Sequence, residues 1–324
     1  MIAVEGHFLK YQAVLTTLVS VLASSSAFAG SLFITSRDFG TADLHQFSLS
    51  GTLLQTLPGN GLNNGQGVAI GPNGNLFVAN ESGADVLQYN ANTGAFISNF
   101  ASTANFPGPI LFGPDANLYV GAGNSVQRFN GLSGAFIGTF AIGLNSASGM
   151  AFDANGNLFV SDGVLGTVKK FDSTGAFVST FVSGQPALAN GAGGILFNGA
   201  NLLVAATYGN GGPPWGNRIL AFDPNGNQLA DFANDANLNG PSAMAFGPDG
   251  LLYISNYAGA SVVRYNAAGQ FVDTFIANGP GSMRGIAFVN DTAPGQTETP
   301  EPASIALAAA GLIAIAALRK RGNK

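Results

Sequence analysis

The stretch that decides the fold is Gly-Pro-Asp-Gly-Leu-Leu-Tyr-Ile-Ser-Asn-Tyr-Ala-Gly-Ala-Ser-Val-Val-Arg-Tyr, residues 247–265. It begins with a tetrapeptide suited to a tight turn, because proline presets φ near about −65° and glycine accepts a positive φ. Two short runs rich in β-branched and aromatic residues follow, at 252–254 and 262–265, with small residues between them. This arrangement is typical of a turn followed by two antiparallel strands.

The same unit recurs along the chain. The apolar triplet has copies at 32–34, 76–78, 118–120, 158–160, 202–204 and 252–254. Each copy is followed by a strand that ends on an aromatic residue, and then by a third run that starts after a glycine (Gly51, Gly94, Gly134, Gly175, Gly226, Gly269). A further strand opens each unit, and its last residues are 40 to 49 positions apart (Ile70, Phe112, Phe152, Phe197, Phe246, Phe288). Four short antiparallel strands in such a unit make one propeller blade, so the sequence predicts an all-β, six-bladed β-propeller.

The count of strands indicates how the ring closes. Three strand types have their first copy between residues 32 and 57, whereas the opening strand has its last copy at residues 285–288. Neither fragment is a whole blade, and together they make one. We therefore expect the N- and C-terminal strands to share the sixth blade, with the C-terminal strand innermost, which leaves no unpaired end blade.

The order Gly-Pro-Asp-Gly, Leu-Tyr-Ile-Ser-Asn and Val-Val-Arg-Tyr within 247–265 resembles the NHL-repeat family of six-bladed propellers. The resemblance extends over nearly the whole body, residues 30–290. It implies blades of four antiparallel strands around a central channel. Related six-bladed folds include lactonases and lyases that hold a metal at the channel mouth.

The N-terminal segment 1–29 is predicted to be a signal peptide with a helical apolar run. Lys10 precedes this run, at 13–23, and Ala27 and Ala29 are small residues two positions apart. Cleavage is therefore expected between Ala29 and Gly30.

The C-terminal segment 300–324 combines Pro300-Glu301-Pro302, an uncharged stretch at 303–318 and the basic cluster 319–321. As a transmembrane helix, 303–318 is about 24 Å long, and the basic residues extend its reach to the headgroups. This tail resembles the PEP-CTERM sorting signal of bacterial proteins. The resemblance implies an exosortase-type processing enzyme as partner and membrane insertion before processing. It also implies a final location at the cell surface, outer envelope or extracellular matrix of a Gram-negative bacterium. The polar residues 291–299 are then a flexible stalk.

Composition excludes several function classes. Between residues 30 and 299 there are seven basic and fifteen acidic residues, which argues against nucleic acid as a partner. The chain contains no cysteine, which removes thiol catalysis and thiolate metal sites. Neither a nucleophile elbow nor a phosphate-binding loop is present.

Candidate binding residues are expected on loops at one mouth of the central channel. The segment 205–217 is predicted to be a long loop that carries Tyr208 and the single tryptophan, Trp215, whose rings suit stacking on sugars or cations. Arg37 and Tyr257 are expected on neighbouring loops, and Arg284 at the start of an opening strand. Further candidates are Gln66, Glu81, Asp38, Asp162 and Asn256.

No metal site is predicted, although Ca²⁺ or another divalent metal stays open as a cofactor. His45 is the single histidine of the body, and the segments that begin at Asp153 and Asp223 resemble calcium loops only faintly. Convergence of three of Glu81, Asp162, Asn80, Asn256 and Asp38 within about 4–5 Å would indicate a metal centre.

The sequence therefore favours an exported binding module, with an extracellular polysaccharide or a surface protein as its partner and no catalytic residues. A metal-dependent lactonase or lyase of the six-bladed type is one alternative. A structural surface protein without a discrete ligand is the other.

Overall fold

The structure is a computed structural model that describes residues 30–37, 44–57, 59–189, 191–209 and 212–290, without the side chains of 208, 209, 212–215 and 290. The predicted signal peptide, stalk, sorting tail and membrane-spanning segment 303–318 lie outside these residues. Within the described part of the chain, no helix is both long and apolar enough to cross a bilayer.

In the described residues, twenty-four strands form six four-stranded antiparallel sheets, which are the blades of a propeller. Blade 1 contains β4 (Gly65–Ile70), β5 (Leu76–Asn80), β6 (Asp85–Tyr89) and β7 (Phe96–Ser102). Blade 2 contains β8 (Pro107–Phe112), β9 (Leu118–Ala122), β10 (Ser125–Phe129) and β11 (Phe136–Ala141). Blade 3 contains β12 (Ala147–Phe152), β13 (Leu158–Asp162), β14 (Thr167–Phe171) and β15 (Phe177–Val182). Blade 4 contains β16 (Ala192–Asn198), β17 (Asn201–Gly209), β18 (Gly212–Phe222) and β19 (Ala233–Asn234). Blade 5 contains β20 (Pro241–Phe246), β21 (Leu252–Asn256), β22 (Ser261–Tyr265) and β23 (Phe271–Ile276). Blade 6 contains β24 (Ser282–Asn290), β1 (Gly30–Arg37), β2 (Leu44–Ser48) and β3 (Leu53–Thr56). A 3₁₀ turn at Pro186–Leu188 precedes blade 4.

Blade 6 confirms the predicted ring closure. Its strand order is β24-β1-β2-β3, with the C-terminal strand innermost. Ile34 lies opposite Ile286, and Leu32 lies opposite Phe288, in an antiparallel register. The two ends of the propeller are therefore held together by a shared sheet.

Aromatic side chains fill the space between blades. In blade 3, the ring of Phe159 lies edge-on between Phe181 of its own outer strand, 4.9 Å between centroids, and Phe197 of blade 4, 5.2 Å away. Equivalent trios are Phe77 with Phe100 and Phe112, Tyr119 with Phe140 and Phe152, and Tyr253 with Phe275 and Phe288. Edge-to-face packing adds to the burial of these large rings. The repeated aromatic residues of the sequence are thus the contacts that hold neighbouring blades together.

Two local predictions were wrong, both in blade 4. Most of the segment 205–217, predicted as a loop, belongs to β17 and β18, and Tyr208 pairs with Trp215 in register. The strands run so close together that a Cβ on Gly216 would lie 1.7 Å from the carbonyl oxygen of Ala206, so glycine permits the pairing. The outer strand of this blade, expected to start after Gly226, is only the two residues Ala233–Asn234.

Candidate functional site at one mouth of the channel

A cavity of about 640 Å³ opens at the mouth of the central channel where the opening strands begin. It is lined by the first residues of β4, β8, β12, β16, β20 and β24, and by turns that connect the second and third strands of blades. This is the end of the propeller at which the sequence predicted a binding site.

Glycine allows the opening strands to pack against one another around the axis. A Cβ on Gly149 would lie 2.6 Å from the carbonyl oxygen of Gly193, and one on Gly285 would lie 2.5 Å from that of Gln66. Ser148 and Arg284, which precede these two glycines, occupy equivalent positions in their strands, and every blade has a residue at this position. These equivalent residues all line the cavity: Gln66, Gly108, Ser148, Gly193, Ser242 and Arg284. Each lies two positions before an apolar residue that recurs in the opening strands (Val68, Ile110, Met150, Ile195, Met244, Ile286).

One side of the cavity is a connected row of polar side chains, which we name the polar arc: Tyr257, Arg284, Gln66 and Glu81. The guanidinium carbon of Arg284 lies 4.8 Å from the centroid of the Tyr257 ring. Arg284 Nη1 donates a hydrogen bond to Gln66 Oε1, and Gln66 Nε2 donates to Glu81 Oε2 at 2.5 Å. Asn64 Nδ2 donates to the same carboxylate oxygen. The arc joins residues of blades 5, 6 and 1.

The other side of the cavity is built from small residues. Gly108, Ser148, Gly193 and Ser242 leave the space opposite the polar arc open. Thr207 also lines the cavity, and its hydroxyl donates to the carbonyl oxygen of Pro241 at 2.7 Å. The cavity therefore faces a ligand with charged and planar groups on one wall. The rest of its lining offers backbone and hydroxyl groups together with apolar side chains such as Ile110, Met150 and Ile195.

Four of the residues predicted at the channel mouth lie together in the polar arc: Tyr257, Arg284, Gln66 and Glu81. Arg37 ends β1, at the repeat position that Glu81 and Tyr257 occupy in their blades, and does not line the cavity. Tyr208 and Trp215 occupy opposed positions near the end of the β17–β18 hairpin, and Asp38 lies outside the described residues.

Asn80, Asp162 and Asn256 stabilise loops of their own blades and do not converge. Each ends the second strand of its blade and accepts hydrogen bonds from the backbone of the preceding linker: from Asn63 at 2.8 Å, from Asn145 at 2.7 Å and from Asn239 at 3.0 Å. Asn80 also donates to Asp85, whose pKa is raised by burial more than this hydrogen bond lowers it. Their amide and carboxylate groups therefore stabilise the linkers that precede the opening strands of their blades.

The donor set of the cavity does not fit a carboxylate-bound divalent metal. Among the described residues that line the cavity, Glu81 is the one carboxylate, and it shares the cavity with the cation Arg284. In the described part of the chain, no group of three histidine, cysteine, aspartate or glutamate residues lies close enough to hold a metal. Divalent cations such as Ca²⁺ take six to eight oxygen ligands, several of them carboxylates.

The faint calcium loops are hairpin turns. Asp153 Oδ1 accepts hydrogen bonds from the amides of Asn155 and Asn157, both at 2.9 Å. Asp223 makes the equivalent contacts, and hydrogen bonds from the side chain and amide of Asn227 lower its pKa. His45 is buried, and its ring nitrogens lie 3.0 Å from the hydroxyls of Ser36 and Thr56.

The sequence reasoning missed the small-residue wall. Ser148 and Ser242 occupy the same repeat position as Gln66 and Arg284, which it did select, so aligning the six opening strands by their recurring apolar residue would have found them. Asn64, which donates a hydrogen bond to Glu81, could not be selected in this way, because it lies before the opening strand β4.

Residues 298–321 match the PEP-CTERM protein-sorting motif. The chain therefore carries a signal of exported, surface-associated bacterial proteins, which implies processing by an exosortase-type enzyme. No curated protein matches the sequence at a significant level.

Solved structures similar to this propeller have low sequence identity to it. One is the nidogen/laminin complex, with 14% identity and a TM-score of 0.62, covering 82% of this chain and 100% of the other. A protein of unknown function from Bacteroides caccae has 15% identity and a TM-score of 0.63, covering 80% and 98%. The gluconolactonase XC5397 from Xanthomonas campestris has 16% identity and a TM-score of 0.54, covering 68% and 78%. These likenesses show the propeller fold alone, and the NHL-repeat resemblance stays a prediction.

Proposed function

We propose that this protein is an exported binding module that takes a polar, saccharide-like ligand into the cavity at the channel mouth. The observation that carries the proposal is the pairing of the polar arc with an open wall of small residues in a cavity of about 640 Å³. Specific ligand pockets have volumes of roughly 300–1,000 Å³ and a few convergent polar groups. Planar amide, guanidinium and carboxylate groups, together with an aromatic ring, are suited to the hydroxyls and apolar faces of a sugar.

The place of action follows from the sorting signal. We propose that the chain is inserted through 303–318, processed near Pro300-Glu301-Pro302, and delivered to the outer envelope or extracellular matrix of a Gram-negative bacterium. Its ligand would there be an extracellular polysaccharide, or the glycan of a surface protein. Arg37, Tyr208 and Trp215 stay predicted contacts for the parts of such a polymer that extend beyond the cavity.

A glycan array with residues 30–299 tests this proposal. Ser242→Trp fills the open wall of the cavity, whereas Thr139→Trp places the same ring on an exposed position of β11. We expect at least one saccharide to be retained by the wild type and by Thr139→Trp and to be lost by Ser242→Trp. Retention of no saccharide would refute the proposal and favour a structural surface protein. Equal retention by both tryptophan variants would move the site away from the cavity.

A metal-dependent lactonase or lyase is the second candidate, and its support is the likeness of fold to the gluconolactonase. The described residues that line the cavity include one carboxylate, Glu81, which argues against it. We expect no hydrolysis of a sugar lactone above the uncatalysed rate in the presence of Ca²⁺, Mn²⁺ or Zn²⁺. A metal-dependent rate that disappears in Glu81→Gln would establish the enzyme and remove the binding module.

A further inference from the structure

The repeat provides an internal control for Arg284. Of the six equivalent positions at the channel mouth, four carry glycine or serine and one carries glutamine. The opening strand therefore forms without a long charged side chain at this place. Bringing a cation into a partly enclosed cavity costs free energy unless the charge is compensated. Arg284 thus needs an explanation that the fold does not supply.

Most of the other described cations have what Arg284 lacks. These six cations are Arg37 and five side chains that have a carboxylate oxygen within 3.8 Å: Arg128, Lys169, Lys170, Arg218 and Arg264. Among the described residues, no carboxylate forms an ion pair with Arg284. Glu81 is held at the far end of the arc, because Gln66 accepts from Arg284 with one end of its amide and donates to Glu81 with the other. The arc therefore positions the cation without neutralising it by direct pairing.

The surroundings of Arg284 fix the plane of its guanidinium group. The group lies over the Tyr257 ring, with 4.8 Å from its carbon to the ring centroid, and is tied to Gln66 through Nη1. Its Nε is buried and has no hydrogen-bond partner. Buried polar atoms in native proteins nearly always have a partner, so Nε is a donor that the described part of the fold leaves unsatisfied.

We infer that the cavity selects ligands that bear a carboxylate, and that Arg284 is the residue that binds it. This inference rests on the proposed function and names its substrate class, which is a uronic-acid saccharide. A guanidinium group on a fixed plane matches the two oxygens of a carboxylate, and such charge-assisted hydrogen bonds are stronger than neutral ones. The hydroxyl and backbone groups of the opposite wall suit the remaining hydroxyls of the sugar.

Isothermal titration of the full chain, purified in detergent, with two matched ligands tests the inference. One ligand is a galacturonate trisaccharide, and the other is the same trisaccharide with its carboxyls reduced to primary alcohols. At constant ionic strength we expect the acidic form to bind at least about tenfold more tightly, equivalent to about 1.4 kcal/mol. Arg284→Gln should abolish this preference, so that the acidic and the neutral trisaccharide bind with the same affinity.

Two further variants separate the role of Arg284 from general charge and from folding. Arg218→Gln removes an arginine whose side chain is 46% exposed and pairs with Asp231 away from the cavity, so it should keep the full preference. Arg284→Lys keeps the positive charge without the planar fork and should keep only part of the preference, with an unchanged urea midpoint.

The outcomes distinguish this inference from the proposed function. Binding of both ligands without preference, abolished by Ser242→Trp, would overturn the carboxylate inference and support the binding module. A preference that persists in Arg284→Gln would also overturn it. Failure of both ligands to bind would refute the inference, while the glycan array decides the binding module separately.

Discussion

Replacing Gly134 by alanine tests how the blades are held at a fixed distance. Gly134 lies in the turn before β11 and has a φ of +71°. A Cβ at this position would lie 1.8 Å from the carbonyl oxygen of Phe100, in the outer strand of the preceding blade. The equivalent glycines of blades 3 to 6 face the same obstacle, at 1.8 to 2.5 Å from a carbonyl oxygen of the blade before: Gly175, Gly226, Gly269 and Gly51.

Two terms contribute to the expected destabilisation. Alanine in the left-handed region costs about 1–2 kcal/mol. Forcing the Phe100 carbonyl aside is an overpacking change of about 1–3 kcal/mol. The second term includes the aromatic core, because the Phe100 ring packs on Phe77 with 4.7 Å between centroids. Together they lower the free energy of unfolding by about 2–5 kcal/mol.

Gly74→Ala is the matched control, because Gly74 has a φ of +75° and nothing lies within 4 Å of its hypothetical Cβ. It should cost only the backbone term of about 1–2 kcal/mol. Urea denaturation of residues 30–299, followed by far-ultraviolet circular dichroism, measures both. If the two variants have equal stability within about 0.5 kcal/mol, contact between this glycine and the previous blade does not set the spacing.

Three other outcomes are expected. Ser255→Ala removes a hydroxyl that donates to the carbonyl oxygen of Arg284 in the next blade at 2.6 Å, and should cost about 1–3 kcal/mol in urea denaturation. Phe159→Ala removes the central ring of its aromatic trio and should cost about 3–5 kcal/mol in the same assay; a loss below about 1 kcal/mol would contradict the role assigned to these trios. Hydrogen bonding to Arg264 lowers the pKa of Asp273. The ionised carboxylate therefore stabilises the fold fully at a pH above its unfolded pKa of about 3.9. This contribution is lost as the pH falls through the lower pKa of the folded state. Asp273→Asn should therefore lose less melting temperature than the wild type between pH 5 and 3, and an identical loss would show that the ion pair is not coupled to folding.

The fold was predictable because every repeat unit contains the same markers of where its strands and turns lie. The same turn glycines and aromatic strand ends recur in each unit, and the incomplete copies at the two ends require closure through a shared blade. Blade 4 departs from the repeat, and there the prediction failed. Gly and Pro between 209 and 214 suggested a loop, whereas cross-strand pairing continues as far as Gly209 and Gly212. Strand pairing depends on the partner strand, which local composition does not contain.

The candidate site was predictable only in part, for a related reason. Arg284 and Gln66 were selected because they begin opening strands, and Tyr257 because it follows a second strand. Their mutual contacts arise from the neighbouring positions of blades 5, 6 and 1 around the axis. Asn80 and Asp162 looked equally functional in the sequence, but their repeat position places them against linker backbone. The residue type alone did not separate a loop-stabilising carboxylate or amide from a ligand-binding one.

Ring closure and the candidate site depend on the same strand. Arg284 lies on β24, and the amide of the next residue, Gly285, donates to the Thr35 hydroxyl of β1 at 2.8 Å. That hydroxyl donates in turn to the carbonyl oxygen of Gln66 on blade 1. A ligand held by Tyr257, Arg284 and Gln66 would therefore contact both sides of the seam at which the two ends of the chain meet. Because a ligand that binds only the folded state adds RT ln(1 + [L]/Kd) to stability, occupation of the cavity should oppose the opening of blade 6 in particular. Hydrogen exchange of the amides of β24 and β1 would show this as selective protection, whereas uniform protection of all six blades would place the ligand elsewhere.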